Sequence, residues 1–146
     1  MQIEKIENKV NLFTEFSFLN KDTNDQFLAQ KATFLTYPDK EILCNGSKND
    51  EESLNIIYYG TVKVIRPVLN SNQVISYCLE TGCLFGLEKI ISNNNVLPMI
   101  VSAVGKVEIY RIHKNDILEQ CKDANVLKGL FQKYITTMNY AIMPSY

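Results

Sequence analysis

The spacing of hydrophobic residues changes along this chain at about residue 32 and again at about residue 114. Residues 1–31 carry apolar positions at mixed three- and four-residue intervals, which predicts a helical lead-in. Residues 32–113 contain short β-branched and aromatic stretches separated by turn residues. Residues 114–143 return to helical spacing. The pattern therefore predicts one mainly β domain over residues 1–146, a sandwich or barrel between helical segments.

Two glycines each divide a β-branched stretch into two halves. Gly60 and Gly105 lie between runs rich in valine and isoleucine, and a glycine in that position is typical of a hairpin turn. We therefore expect a hairpin at each glycine. With further stretches, this gives roughly seven or eight short strands. The further strands are expected at residues 32–37, 41–44 and 74–79.

The last helical segment carries an apolar seam with a heptad spacing. Such a seam is typical of a contact between two helices, and we expect it to form a homodimer. Packing of the same residues against the β domain is the alternative. The seam consists of Leu127, Phe131, Tyr134, Met138 and Ala141.

Length and charge exclude several classes of protein. A chain of 146 residues can bury one core and has no room for a second full-sized domain. Its 15 basic and 16 acidic residues give a net charge of -1, which provides no electrostatic reason to bind nucleic acid. No apolar run has the length of a membrane span or a signal sequence. We expect a cytoplasmic protein without membrane contact.

The residue types needed for metal or acid–base chemistry are scarce. His113 is the single histidine, so a cupin-like metal enzyme or a Ser/His/Asp hydrolase is disfavoured. The four cysteines form no CxxC pair, which disfavours zinc and iron–sulfur sites. A redox pair of Cys78 and Cys83 is an alternative to reduced thiols, and His113 is expected to be a capping or surface residue. We expect no enzyme, no metal and no cofactor.

Five motifs occur in order along the chain: Tyr37-Pro-Asp-Lys-Glu41, Ile57-Tyr-Tyr-Gly-Thr-Val-Lys-Val64, Glu80-Thr-Gly-Cys-Leu-Phe-Gly86, Val101-Ser-Ala103 and Val107-Glu-Ile-Tyr-Arg-Ile112. This series resembles the cyclic-nucleotide-binding domain family, and more narrowly the sensor half of catabolite activator protein/Fnr regulators. The resemblance implies a jelly-roll barrel (a double-stranded β-helix), short N-terminal helices and a C-terminal dimerisation helix.

In that family, the segment after Phe-Gly is a phosphate-binding cassette with a glutamate and an arginine. Here Leu87 stands where the resemblance implies the glutamate, with Glu88 one residue later, and Leu97 stands where it implies the arginine. We therefore expect no binding of cyclic AMP or cyclic GMP at micromolar concentrations, because the phosphate lacks its charged partner. The candidate site is Gly82, Phe85, Gly86, Leu87, Glu88, Leu97 and Ala103.

Two interpretations of this cassette remain open. Its glycines can simply be corners of the barrel, or the site can take a small apolar effector. The resemblance also implies a DNA-binding winged helix after the dimerisation helix, but the residues after 114 are used up by two helices. We expect DNA contact only through a domain absent from this chain. The alternative to a sensory dimerisation domain is a stand-alone scaffold module that docks in a larger assembly.

Overall fold

The computed structural model describes residues 30–46, 52–68, 70–91 and 98–142. The predicted helical lead-in lies outside the described residues, except for a helical pair at 30 and 31. The described strands are β1 (Ala32–Tyr37), β2 (Ile42–Asn45), β3 (Ser53–Pro67), β4 (Val74–Glu80), β5 (Leu84–Phe85) and β6 (Ile100–His113). The helices that follow residue 86 are α1 (Leu87–Ile91), α2 (Lys114–Gln120) and α3 (Ala124–Ile142).

The described strands form one antiparallel sheet with the order β1-β6-β3-β4. The short strands β2 and β5 pair with β6 and β3, respectively. The prediction of a mainly β, jelly-roll type fold is confirmed. Among the described residues the sheet is not closed, because β1 and β4 lie at the two ends of the path and do not pair with each other.

The two predicted hairpins are wrong, because β3 is one continuous strand across Gly60 and β6 is one continuous strand across Gly105. Gly60 has a φ of +107°, and the register of β3 against β6 shifts on both sides of Tyr59. A Cβ at position 60 would lie 2.5 Å from the backbone oxygen of Lys106, so the two strands approach closely there. The glycine therefore bends a continuous strand by a bulge and does not reverse the chain.

Alternation along the strands divides the buried residues between two cores. The helix-side core joins the sheet to the helices and consists of Leu54, Ile56, Leu84, Leu87, Ile90, Ile112, Ile117, Val126 and Leu130. The strand core is built from strand residues and the turn before β5, and consists of Ile57, Val62, Val64, Leu79, Cys83, Phe85, Val101, Ala103, Val107 and Ile109.

The helices that follow β6 begin where the sequence predicts. His113 caps α2, since its Nδ1 accepts the backbone N–H of Asn115 at 3.1 Å, and the expected capping role is confirmed. Val126 and Leu130 are fully buried on the sheet side of α3, which fixes the position of that helix. Within the described parts of the chain, no helix combines the length and the apolar character that crossing a membrane requires.

Candidate functional site

The chain turns sharply between β5 and α1, at Gly86. This residue has a φ of +96°, and a Cβ there would lie 2.4 Å from the backbone oxygen of Ser53. Only glycine therefore fits without a shift of β3. Gly82 occupies the preceding turn with a φ of +93°, and its N–H donates to the oxygen of Ile57 at 2.8 Å. Both glycines lie at corners of the fold.

The apolar residues of the candidate site divide between the two cores. Leu87 is 1% exposed and lies in the helix-side core. Phe85 and Ala103 are buried in the strand core, and Leu97 lies outside the described residues. The structure thus does not gather Phe85, Leu87 and Ala103 into one apolar pocket, because the corner at Gly86 directs the side chains on either side of it into different layers.

Glu88, the second residue of α1, is the polar centre of this region. Its Oε2 accepts a hydrogen bond from Arg66 Nη2 at 2.8 Å and one from the Tyr134 hydroxyl at 3.3 Å. The side chains of Arg66 and Glu88 are only 20% and 19% exposed. Arg66 comes from the end of β3 and Tyr134 from α3, so this one carboxylate joins three elements. Together with Tyr77 of β4, these residues are called the Glu88 cluster below.

The electrostatics of the Glu88 cluster follow from burial and from the one negative charge. Burial is the largest single influence on the Arg66 guanidinium and lowers its pKa, but Glu88, Tyr77 and Tyr134 act together in the opposite direction and the net pKa is raised. Burial raises the pKa of the Tyr77 hydroxyl, with Arg66 opposing the change. Burial and then Glu88 raise the pKa of the Tyr134 hydroxyl. The Tyr134 hydroxyl therefore stays protonated at neutral pH and donates a hydrogen bond to Glu88.

A second polar contact joins α3 to the segment around Gly86. The backbone N–H of Leu84 in β5 donates to Thr137 Oγ1 at 3.3 Å, and Thr137 is 3% exposed. Thr137 lies about one turn beyond Tyr134 in α3. The helix therefore contacts β5 and α1 through two neighbouring side chains.

The architecture matches several solved structures. A catabolite activator protein from Thermus thermophilus aligns at a TM-score of 0.62 and 17% identity, over 85% of this chain and 59% of that one. The regulatory domain of protein kinase A from Toxoplasma gondii, solved with cyclic AMP, aligns at 0.64 and 12%, over 88% and 49%. FixK2 from Bradyrhizobium japonicum aligns at 0.58 and 15%, over 75% and 54%. The chain has the cyclic-nucleotide-binding fold.

These similarities concern the fold, and the chain spans between 49% and 59% of the length of the three chains. No protein-family model and no curated protein sequence matches it. The expected cyclic-nucleotide-binding fold is thus confirmed from structure at a level of sequence identity where motif comparison is weak.

Within this cyclic-nucleotide-binding fold, the arginine that contacts the cassette helix α1 was not found from sequence. Arg66 lies 22 residues before Glu88 in the chain, and only the pairing of β3 with β4 and the position of α1 bring the two together. The available signal was the scarcity of arginine, since the chain has only Arg66 and Arg111. Tyr77 and the contact of Tyr134 with Glu88 were also missed.

The predicted seam divides along the surface of α3. Tyr134 belongs to the Glu88 cluster and packs against the helix-side core. Phe131 is 43% exposed, while Leu127 and Met138 are half-buried. Ile135 is 56% exposed on the same helix and was not part of the prediction. Ala141 also lies in α3.

The other candidate groups do not lie in the Glu88 cluster. Arg111 donates from Nε to Asn55 Oδ1 at 2.8 Å and from Nη2 to the Tyr37 hydroxyl at 3.2 Å. Cys78 is exposed on β4, whereas Cys83 is buried in the strand core. No group of histidine, cysteine and acidic residues suited to a metal ion occurs among the residues that the structure describes.

Proposed function

We propose that this domain is a non-catalytic regulatory domain that does not bind cyclic AMP or cyclic GMP at micromolar concentrations. The ion pair between Arg66 and Glu88 is the observation that carries this proposal. A cyclic phosphate at α1 needs a cationic partner, and Glu88 already holds Nη2 of Arg66. A bound phosphate would have to displace the carboxylate and leave it partly buried beside a second negative charge.

The energies support exclusion of the nucleotide. A hydrogen bond to a charged group contributes about 1.5–3 kcal/mol, and about 1.4 kcal/mol corresponds to a tenfold change in affinity. Two like charges about 5 Å apart repel by about 3 kcal/mol at an effective dielectric constant of about 20. Loss of the arginine contact and this repulsion together weaken a cyclic nucleotide by more than a hundredfold.

Isothermal titration calorimetry of the whole chain with cyclic AMP and cyclic GMP tests the proposal. We expect no saturable heat up to about 100 µM nucleotide. Tight saturable binding of either nucleotide would overturn it. Thermal unfolding with each nucleotide provides an independent check, because a ligand at about 100 times its Kd adds about 2.7 kcal/mol to the free energy of unfolding.

We also propose that the domain forms a homodimer through α3. Phe131 and Ile135 project from this helix into solvent, and the half-buried Leu127 and Met138 flank them. An apolar stripe of this kind beside a core-facing stripe is typical of a helix that packs on both sides. Light scattering after size-exclusion chromatography tests this proposal, and a monomer at micromolar concentration would reject it.

One observation favours the alternative, a scaffold module with a heterologous partner. Val74 and Ile75 are 62% and 52% exposed on β4, which lies at one end of the described sheet path. An exposed apolar strand at a sheet edge is a surface on which another chain can add a strand. Isolation of a stable heterologous complex that a Val74→Lys variant no longer forms would support this alternative over the homodimer.

A further inference from the structure

The Glu88 cluster links two parts of the molecule that are otherwise joined mainly by apolar packing. Glu88 belongs to α1, which directly follows the corner at Gly86, and Tyr134 belongs to α3. Glu88 Oε2 accepts from two side chains, Arg66 of β3 and Tyr134 of α3, and Thr137 adds the contact of α3 to β5. Beside the apolar packing, α3 is therefore joined to α1 and β5 by polar contacts that this chain supplies itself.

The chemistry of these contacts is that of an anion-binding site with its anion in place. A guanidinium N–H and a tyrosine hydroxyl both point at one carboxylate oxygen, and both are donors suited to an oxyanion. The pKa of the tyrosine is raised by burial and by Glu88, so it remains a donor. The anion is covalently attached to α1, and its effective concentration is therefore high and constant.

We propose that the Glu88 carboxylate is a built-in anionic ligand that ties α1 to α3 without any effector. This inference rests on the proposed function, because a domain that accepts cyclic nucleotides at α1 would leave this place to a phosphate. It goes further in assigning the ligand class: the donors of Arg66 and Tyr134 form a carboxylate site, and a small carboxylic acid fits it once the Glu88 side chain is removed.

Chemical rescue tests the proposal with the whole chain. Glu88→Ala removes the carboxylate and leaves Arg66 and Tyr134 in place, and we expect a melting temperature lower by about 3–6 °C. Hydrogen exchange of the α3 amides around residues 130–138 should become faster. Sodium acetate at about 0.1 M, compared with sodium chloride at the same ionic strength, should restore at least half of both losses.

The double variant Arg66→Met/Glu88→Ala is the matched control, because it keeps the space but lacks the cation. It should show no response to acetate beyond that to chloride. An equal acetate response of the single and double variants would overturn the proposal, as would unchanged exchange of α3 in Glu88→Ala. The acetate series is read independently of the nucleotide titration of the unaltered chain, so a failure of the proposed function is distinguished from a failure of this inference.

Glu88→Gln covers the case in which the alanine variant does not fold. The amide keeps the size of the side chain and an acceptor for Tyr134, but removes the negative charge. We expect faster exchange in α3 for this variant as well, since the charge-assisted bond to Arg66 is lost. If Glu88→Gln protects α3 as well as the unaltered chain does, the carboxylate is not acting as an anionic ligand and the proposal is wrong.

Discussion

The backbone N–H of Leu84 and the side-chain hydroxyl of Thr137 form a buried hydrogen bond of 3.3 Å across 53 residues of sequence. Leu84 lies in β5, immediately before the corner at Gly86, and Thr137 lies in α3. Loss of this acceptor leaves a buried N–H without a partner, which is more costly than loss of an exposed hydrogen bond.

Thr137→Val should therefore destabilise the domain by about 1–3 kcal/mol, since valine keeps the shape but cannot accept the Leu84 N–H. Urea denaturation followed by circular dichroism measures this change. Thr136→Val is the matched control, because Thr136 is exposed and its hydroxyl donates only to the oxygen of Gln132 within α3. Equal effects of the two variants would contradict the buried role of Thr137.

Gly86→Ala should destabilise the domain by at least about 2 kcal/mol more than Gly105→Ala. Both glycines have a positive φ, so both variants incur the cost of a left-handed conformation. A Cβ at position 86 would lie 2.4 Å from the oxygen of Ser53, whereas a Cβ at position 105 meets no atom within 4 Å. The difference between the two variants, measured by thermal unfolding, isolates the close approach at the corner.

Stability should fall as the pH rises above about 10, the ordinary pKa of a tyrosine. Burial raises the pKa of the Tyr77 and Tyr134 hydroxyls in the folded state, so the folded chain keeps protons that the unfolded chain releases. Their contribution is fully present below the unfolded pKa and is lost at higher pH. Urea midpoints from pH 8 to about 11 measure the slope.

Tyr134→Phe should reduce that alkaline loss without removing it, because Tyr77 and Tyr110 also have pKa values raised by burial. Burial likewise raises the pKa of the Cys121 thiol, so Cys121→Ala should remove a part of the loss that begins nearer pH 9. A variant without Tyr134 that shows the full slope of the unaltered chain would contradict the assignment.

Phe131→Glu and Ile135→Glu should each convert the proposed dimer into a monomer while changing the melting temperature of the monomer little. Both side chains are at least 43% exposed, so a charge at either position is tolerated in one chain but opposed across an apolar interface. Leu118→Glu is the control, because Leu118 is similarly exposed at 41% but lies on α2. If Leu118→Glu abolishes the dimer and the two α3 variants do not, the interface does not involve α3.

The sequence predicts the class of the fold because its signals are local. β-Branched and aromatic residues mark β1 and β4, and the return to helical spacing after His113 marks the start of α2. Gly60 and Gly105 mislead for a physical reason: a positive φ serves a hairpin turn and a bulge in a continuous strand equally well. Only the partner strand, which lies far away in sequence, decides between the two.

The contacts of the candidate site are harder to predict from sequence than the fold class, since they depend on tertiary structure. Leu87 and Phe85 are neighbours of Gly86 in the chain but enter different cores. Tyr134 has the spacing of a dimer seam, yet its hydroxyl reaches Glu88. In the sequence Arg66 is an ordinary residue near the end of a strand, and only the tertiary structure shows its contact with Glu88 of α1. The contacts of Arg66 and Tyr134 with Glu88 span 22 and 46 residues of sequence, so local patterns cannot predict them.

The long antiparallel pairing of β3 with β6 determines which residues of this domain can be substituted. The two strands pair from Ser53 and His113 to Ile65 and Ile100, so the cassette is an insertion enclosed by a single long two-stranded frame. Exposed residues between the two strands can change while the frame keeps its register, whereas Leu79, Leu84 and Leu87 must stay apolar because they are buried in the two cores. Changes confined to exposed residues of β4 and α1 are thus expected to alter the surface of this segment without changing the pairing of β3 with β6.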